Sequence, residues 1–500
     1  MTRRGFAALA LPLVLSAAVY WPILGNYFWY DDFEHLWEMA DQDLLPVLLR
    51  PHGGHVFPVR NLLFYAMYHL FGFDPQPYFV LVLATHLVNV SLLFLLLSEL
   101  GAGQVIAAFG ATLWGILPVQ EGTLGWYSVY GQVLSATALL WFLREVARAA
   151  KAPARLTKWR VMGWCAVLLA GALCFGTGLS AALVAGLVAL LLLPGSRSRR
   201  RAVAVLCSLL IVAPLLYTGC VWLDARLGDP RAREVALPPH LQRDVPVIGQ
   251  AWARLIGNAV TSTLSPGLCD AGPPGWWPCG VLATVFGCAV IAAMVGSPAP
   301  LRRQLAACSV LLLAVYGMIA LGRAPVAWYF HETLPQLGAT PRYHYMGTLP
   351  IVLMLSGLLA RLRGLSVRPT WLGRAVLATW LGVVIGLRLR GPGIGQHDDA
   401  RAETVAALTR IGTLIDAAPP NSAVYIENHG FAGIGRGRFP GWAALFIITQ
   451  PDDVVRTRHV YFVETDRVAL AALRALPARR TLTLVVGRDE VPSGVPVAVP

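Results

Sequence analysis

The sequence predicts an α-helical polytopic membrane protein that carries a small extracytoplasmic α/β domain after its last span. Of the 500 residues, 56% are hydrophobic and only 13% are charged, whereas soluble domains carry about 25% charged residues. The mean hydropathy is +0.59. A chain of this composition cannot cover itself with polar surface in water. Its long apolar runs favour helices, because a helix satisfies its backbone hydrogen bonds within one membrane-spanning segment.

Eleven apolar runs are long enough to cross about 30 Å of hydrocarbon. The predicted spans are residues 6–24, 77–98, 103–119, 129–147, 161–177, 179–194, 203–223, 279–297, 304–321, 343–360 and 375–389.

Basic residues predict the orientation of these spans. Clusters of Arg and Lys occupy alternate short segments at 3–4, 144–160, 197–201, 302–303 and 361–374, and the positive-inside rule makes these segments cytoplasmic. The N-terminus is then inside, and the longer segments 25–76 and 224–278 are outside, as is the C-terminal domain. We therefore expect a multi-pass protein of the inner (plasma) membrane with a periplasmic tail. This distribution explains the net charge of +13 without nucleic acid as a partner.

The start of the chain has two interpretations. Arg3 and Arg4, an apolar stretch and the small residues Ser16 to Ala18 resemble a cleavable signal peptide. The apolar run, however, continues through Tyr20 and Trp21, which is typical of a retained helix with interfacial aromatic residues. Both interpretations place the next segment outside.

The chain divides into two predicted domains, a transmembrane domain at 1–390 and a soluble α/β domain at 391–500. In the second, the apolar spacing predicts a helix over 397–417, and strands are predicted at Ala423–Ile426, His459–Val463 and Thr481–Val486. Cys269 and Cys279 form a disulfide if the compartment is oxidising, and otherwise are two unpaired loop thiols.

The first outer segment carries the densest group of reactive side chains, Asp31, Asp32 and His35. If this segment is helical, His35 shares a face with both acids, four residues from one and three from the other. Such a group suits a general base or ligands of a divalent metal such as Mg²⁺ or Mn²⁺. The alternative is a helix N-terminus, where acids complement the helix dipole.

Other polar residues gather on the predicted outer side. We expect them to line one outer cavity that binds substrate, since polar groups at membrane depth need a partner or a cavity. These candidates are His55, Arg60, His86, Glu121, Arg342, Tyr343 and Tyr345, with Asn89 near His86. For His86 and Asn89 the alternative is a hydrogen bond between helices.

Four stretches resemble the bacterial polytopic GT-C glycosyltransferases, in particular the protein O-mannosyltransferase and lipid A aminoarabinose transferase group. They cover roughly residues 5–150 and 335–360. The stretches are Asp31-Asp32-x-x-His35; 52–60 continuing to Asp74-Pro75 with His86 and Asn89; Pro118-Val119-Gln120-Glu121 with Trp126; and Arg342-Tyr343-x-Tyr345.

The resemblance implies a GT-C-like fold with juxtamembrane helices in the first outer loop and an extracytoplasmic active site. It implies a polyprenyl-phosphate-linked sugar as donor and a hydroxyl on a glycan, lipid or protein as acceptor. The catalytic acid of the family maps onto Asp31 or Asp32, and we favour Asp31. His35 orients this carboxylate or joins both acids around a metal. At 176–179, where many relatives carry a charged pair, this chain reads Gly-Thr-Gly-Leu.

The departing phosphate of such a donor is negatively charged, and guanidinium groups bind phosphate oxygens in a bidentate manner. Arg60 and Arg342 are the two outward arginines next to the motifs, so we assign them to the phosphate. Their alternative role is to reach from the helix surface to the membrane interface.

Three functions are consistent with the sequence. The first is a lipid-linked-sugar transferase. The second is a transporter of a lipid-linked sugar, which would be expected to show an inverted repeat with broken helices at the bilayer midplane. The third is a non-catalytic membrane assembly factor on the same scaffold, which the departure at 176–179 would accommodate.

Overall fold

The computed structural model describes residues 3–364, except 29–30, 42, 53–54, 153–155, 228–244, 266–276 and 328–332. It also describes isolated positions between 378 and 386 and four strands after residue 422. The predicted helix at 397–417 and most of the eleventh predicted span lie outside these residues, as does Cys269 of the predicted disulfide.

The helices in the first half of the helical domain are α1 (Arg3–Tyr20), α2 (Asp31–Asp41), α3 (Leu44–Leu49), α4 (Pro58–Phe71), α5 (Pro75–Glu99), α6 (Gln104–Gly115), α7 (Glu121–Leu124), α8 (Tyr130–Lys151) and α9 (Lys158–Ala172). Short 3₁₀ turns at Trp21–Gly25, Pro118–Gln120 and Tyr127–Val129 lie between them. Two long helices, α1 and α5, are joined by three shorter helices, α2 to α4. Helices α6 to α9 follow.

The second half continues the bundle. Its helices are α10 (Gly176–Leu192), α11 (Arg197–Cys207), α12 (Leu209–Leu227), α13 (Val245–Leu264), α14 (Trp277–Gly296), α15 (Ala299–Ala327), α16 (Leu334–Ala339) and α17 (Thr348–Gly364). A 3₁₀ turn at Pro341–Tyr343 precedes α17.

The first ten predicted spans each coincide with a helix or a pair of consecutive helices. By length and apolar composition alone, the described residues contain four helices able to cross a membrane, Gly5–Gly25, Pro75–Glu99, Arg197–Asp224 and Ala299–Pro325. The pair Gln104–Gly115 and Pro118–Leu124, bent by 49°, makes a fifth if it is counted as one span. Several other apolar helices are shorter than 18 residues. The chain is thus a helical, multi-pass membrane protein.

Helix α13 differs from the sequence-based expectation, which treated 224–278 as an outer loop. Its buried positions include Ala251, Leu255 and Ala259, and this spacing of four residues forms one apolar face. That face packs against α14, α15 and α16. Arg254 and Asn258 interrupt the apolar run, so hydropathy alone does not reveal the helix.

Helices α1, α5, α6 and α17 meet in an aromatic core. Tyr20, His86 and Tyr345 are all fully buried there. The Tyr20 hydroxyl donates to the carbonyl of Leu117, and the Tyr20 ring meets His86 edge to face with centroids 5.4 Å apart. These contacts join the end of α1 to the core.

The four strands after residue 422 form one sheet. They are β1 (Ala423–Asn428), β2 (His459–Val463), β3 (Thr481–Val486) and β4 (Gly494–Val497), in the order β2-β1-β3-β4. Strand β1 is parallel to β2 and to β3, with Ala423 opposite His459 and Thr481, whereas β4 is antiparallel to β3. All three strands predicted from the sequence are present in this mixed sheet.

Candidate active site

The segment predicted to be outside, at 25–76, folds into short helices, as the resemblance implies. Helix α2 begins at Asp31 and buries Phe33, Leu36 and Met39, a spacing of three residues that turns one face inward. It packs against α4. This fixes the orientation of the two aspartates at its first turn.

Asp31 is the partly exposed member of this group of side chains. Its side chain is 25% exposed, and Oδ2 lies 3.5 Å from Nε2 of His52. Burial acts to raise the pKa of the Asp31 carboxyl, but the hydrogen bond and charge of His52, with smaller contributions from His35 and Arg342, hold it below its ordinary value. Asp31 is therefore an ionised, partly accessible carboxylate at neutral pH.

Asp32 has a different environment from its neighbour. It is fully buried, and its Oδ1 accepts hydrogen bonds from the backbone N–H of Ser128 at 2.6 Å and from the Ser128 hydroxyl at 2.5 Å. Successive residues on a helix point about 100° apart, which explains how the two acids reach different partners. Asp32 ties α2 to the turn that precedes α8.

His35 lies behind Asp31 and is held by Arg60. The Nη2 of Arg60 donates to Nε2 of His35 at 3.0 Å, so that Nε2 is an acceptor and the imidazole is neutral. Burial, followed by the charge of Arg60, lowers the pKa of His35 well below its ordinary value. Arg60 is itself fully buried, with its guanidinium carbon 3.8 Å from the centre of the Phe57 ring.

His52 and His55 hold the next part of the site together. They exchange two backbone hydrogen bonds of 2.9 Å as an antiparallel bridge. Nε2 of His55 lies 2.8 Å from Nη2 of Arg323, and its ring lies 4.5 Å from that of Phe175. Burial and the charge of Arg323 lower the pKa of His55 well below its ordinary value.

Arg323 is a site residue that the sequence analysis missed. It lies in the last two turns of α15, two residues beyond a predicted span, and no motif marks it. Its guanidinium carbon is 5.9 Å from the ring of Tyr343, while that of Arg342 is 5.0 Å from the same ring. Two cations thus flank one aromatic side chain. An arginine just past the predicted outer end of a span, on the predicted side with few basic residues, is the signal that the sequence offers.

Arg342 is positioned by the second outer turn. Its guanidinium carbon lies 5.3 Å from the Trp126 ring, and its backbone carbonyl accepts from the hydroxyl of Thr123 at 3.2 Å. A Cβ at Gly122 would come within 2.9 Å of the Arg342 backbone nitrogen, so the close approach needs glycine there. Glu121 begins α7 beside this contact and is half-buried.

His86 and Tyr345, which the sequence predicts to bind substrate, contact a different set of side chains from Asp31. Both are fully buried. Nδ1 of His86 lies 2.8 Å from the Tyr345 hydroxyl, and its Nε2 lies 3.0 Å from the carbonyl oxygen of Gly115. Asn89 donates to the carbonyl of Val133 at 2.9 Å. This placement corresponds to the helix–helix alternative, because the two side chains offer no surface to a substrate. Tyr343, in contrast, borders the two arginines.

The glycines at 176–179 are explained by close packing. A Cβ at Gly176 would lie 2.9 Å from Nδ1 of His55, and one at Gly178 would collide with the carbonyl oxygen of Gly171. The two glycines at the start of α10 therefore allow His55 and the end of α9 to pack closely against this helix.

A metal site at Asp31, Asp32 and His35 stays a prediction. Within the described part of the chain no group of three or more His, Cys, Asp or Glu side chains is arranged to hold an ion. Asp31 faces His52, Asp32 faces Ser128, and His35 accepts from Arg60. The partners of these three side chains thus differ, and the mechanism below is built on protein side chains alone.

Comparison with known proteins gives structural matches only. No protein-family model and no curated sequence matches the chain. Solved structures that align with it include the oligosaccharyltransferase of Archaeoglobus fulgidus in complex with Zn and sulfate (TM-score 0.44, 12% identity, 91% of this chain and 62% of that one). The same enzyme, AglB, with an inhibitory peptide and a dolichol-phosphate aligns with a TM-score of 0.42 at 12% identity over 92% and 64%.

ArnT from Cupriavidus metallidurans bound to undecaprenyl phosphate is also similar, with a TM-score of 0.39 and 12% identity over 97% of this chain and 93% of that one. The chain spans less than two thirds of the length of the archaeal oligosaccharyltransferase structures.

Proposed function

We propose that the protein is a membrane glycosyltransferase. It moves a sugar from a polyprenyl-phosphate-linked donor to an acceptor hydroxyl on the extracytoplasmic face, with Asp31 as the general base. The observation that carries the proposal is an ionised, partly exposed carboxylate whose pKa is lowered in part by Arg342, near a second arginine that shares the Tyr343 ring. The motif resemblance supplies the donor class.

In this mechanism the two arginines bind the donor phosphate. Arg342 and Arg323 flank Tyr343 and are anchored by Trp126 and His55, which orients their guanidinium groups before the donor arrives. Charge-assisted hydrogen bonds from arginine stabilise the negative charge that develops on the departing phosphate. Arg60, to which the sequence analysis gave this role, lies buried behind His35. We therefore assign Arg60 to positioning.

Asp31 takes the proton of the acceptor hydroxyl as its oxygen attacks the anomeric carbon. The bond to the phosphate oxygen breaks in the same displacement, so the anomeric centre is inverted. His52 holds the carboxylate at 3.5 Å, and neutral His35 stands behind it. The lowered pKa keeps Asp31 ionised across the neutral range. Positioned proton transfer of this kind typically contributes about 10²–10⁴ in rate.

The first test is mass spectrometry of cell-surface glycans in a deletion strain that carries wild type, Asp31→Asn or Asp43→Asn. Asp43 is an exposed aspartate of the same outer segment and is the matched control. We expect wild type and Asp43→Asn to restore the missing sugar and Asp31→Asn to fail.

Three other results would each reject the assignment. Full restoration by Asp31→Asn would show that the loop acid is structural. An unchanged glycan profile in the deletion strain, with another envelope phenotype rescued by both variants, would favour the non-catalytic assembly factor. Accumulation of unflipped donor on the cytoplasmic side would favour the transporter.

A further inference from the structure

A polar cavity lies at the other end of the bundle from Asp31. It has a volume of about 220 Å³ and is lined by Glu99, Arg148, Lys151, Ala152 and Arg160. These residues come from the C-terminal ends of α5 and α8 and the first turn of α9. Helix α5 has 25 residues and rises about 1.5 Å per residue. The cavity is therefore about 35 Å along α5 from the end that borders the candidate active site.

Ion pairs preorganise the walls of this inner cavity. Glu145 accepts from Nη1 of Arg148 at 2.9 Å and from Nε and Nη2 of Arg160 at 3.0 and 2.5 Å. Lys151 donates to Oε2 of Glu99 at 3.2 Å. Three cations thus share two carboxylates, which leaves one positive charge in excess. In the part of the chain that the structure describes, most N–H groups of these cations have no protein acceptor.

The residues next to the inner cavity indicate its depth in the membrane. Trp159, which precedes Arg160, is 75% exposed, and the ammonium of Lys158 lies 5.1 Å from the centre of its ring. Exposed tryptophan next to lysine is typical of the headgroup level at the membrane–water interface. The distribution of basic residues predicts that this is the cytoplasmic interface.

We infer that the inner cavity binds the phosphodiester headgroup of an anionic phospholipid. One phosphodiester carries a single negative charge, which matches the single excess cation, and its oxygens can accept from Arg148 and Lys151 at once. The volume is ample, since a water molecule occupies about 30 Å³ in the liquid. A lipid seated there would link α5, α8 and α9 at their inner ends. This site is independent of the proposed transferase activity.

Native mass spectrometry of the purified full chain in detergent, titrated with phosphatidylglycerol, tests this inference. A basic residue near an anionic surface contributes enough for about a fivefold change in affinity. We expect Lys151→Gln and Arg148→Gln each to weaken phosphatidylglycerol binding by about that factor and Lys151→Arg to restore it. Both glutamine variants keep the ion pair between Arg160 and Glu145, so the contact between α8 and α9 is preserved.

Arg303→Gln is the matched control, because Arg303 is an exposed arginine on the same predicted side but outside the cavity. It should leave the affinity unchanged. If phosphatidylcholine binds as tightly as phosphatidylglycerol, the inference is overturned. It is also overturned if Arg303→Gln loses as much affinity as the cavity variants, because binding would then reflect general attraction to the basic surface. Displacement of the lipid by millimolar inorganic phosphate would identify a soluble anion as ligand and overturn the lipid assignment.

Discussion

Asp31 and Asp32 are adjacent in the chain, yet their surroundings give them separate roles. The sequence identified the pair but could only narrowly favour one member, because the partner that distinguishes them, Ser128, lies 96 residues away. The same limitation applies to Arg60, whose burial beneath Phe57 depends on tertiary packing. Residue types and spacing therefore predict which side chains form the reactive group. The role of each side chain within the group depends on contacts that exist only in the folded chain.

Substitution of the two aspartates should separate stability from catalysis. Asp32→Asn removes the charge that accepts two hydrogen bonds from Ser128, and we expect the free energy of unfolding to fall by about 1–3 kcal/mol. Asp31→Asn should change it by less than about 0.5 kcal/mol, since its side chain is partly exposed. Thermal unfolding in detergent measures both. Equal destabilisation would mean that Asp31 is also a structural anchor.

Acid sensitivity is expected from the buried histidines. The pKa values of His35 and His55 are well below the ordinary value, while an unfolded histidine takes up a proton near pH 6.5. Below about pH 6.5 the unfolded state binds more protons, so the free energy of unfolding decreases as pH falls. Each histidine contributes at most about 1.4 kcal/mol per pH unit.

This pH dependence can be assigned by a pair of variants measured between pH 5 and 8. His55→Gln should reduce the slope of unfolding temperature against pH, whereas His69→Gln, at an exposed position of α4, should leave it unchanged. Asp31 does not contribute in this window, because its lowered pKa keeps it ionised until the solution is more acidic. An unaltered slope in His55→Gln would contradict the account.

At the scale of helices and strands, the apolar pattern predicts an element correctly where the segment is uniformly apolar. The first ten predicted spans coincide with helices, and the three predicted strands are all present. Helix α13 escaped prediction because Arg254 and Asn258 dilute its hydropathy, although its apolar face has regular spacing. Strand β4 spans only Gly494–Val497. An apolar run of this length is too short to be recognised as a strand from the sequence.

Two glycines in the α9–α10 hairpin provide a test of close packing. A Cβ at Gly178 would collide with the Gly171 carbonyl, whereas one at Gly163 meets nothing within 4 Å. We expect Gly178→Ala to lower the free energy of unfolding by about 1–3 kcal/mol. Gly163→Ala should be neutral or stabilising by up to about 1 kcal/mol, because alanine favours the helix. Equal effects on unfolding temperature would show that the two helices are less tightly packed than described.

For the whole molecule, the distribution of basic residues predicts which face is outside. Asp43→Cys in the first outer segment should react with an impermeant maleimide on intact cells. Arg200→Cys, at the start of α11, should react only after permeabilisation. Both variants are made in a chain with Cys269→Ser and Cys279→Ser, which is also the control, since the described exposed cysteines, Cys207 and Cys288, lie in predicted spans. The reverse labelling pattern would invert the topology and place the Asp31 site inside.

The hydrogen bond between His86 and Tyr345 joins residues 259 positions apart. A ribosome adds roughly 5–20 residues per second, so tens of seconds separate the synthesis of these two partners. During that interval α5 enters the bilayer before Tyr345 exists, and the carbonyl of Gly115, 29 positions after His86, is the partner of the imidazole that is made first. The contact that joins α5 to the segment before α17 can therefore form only after most of the bundle has been synthesised.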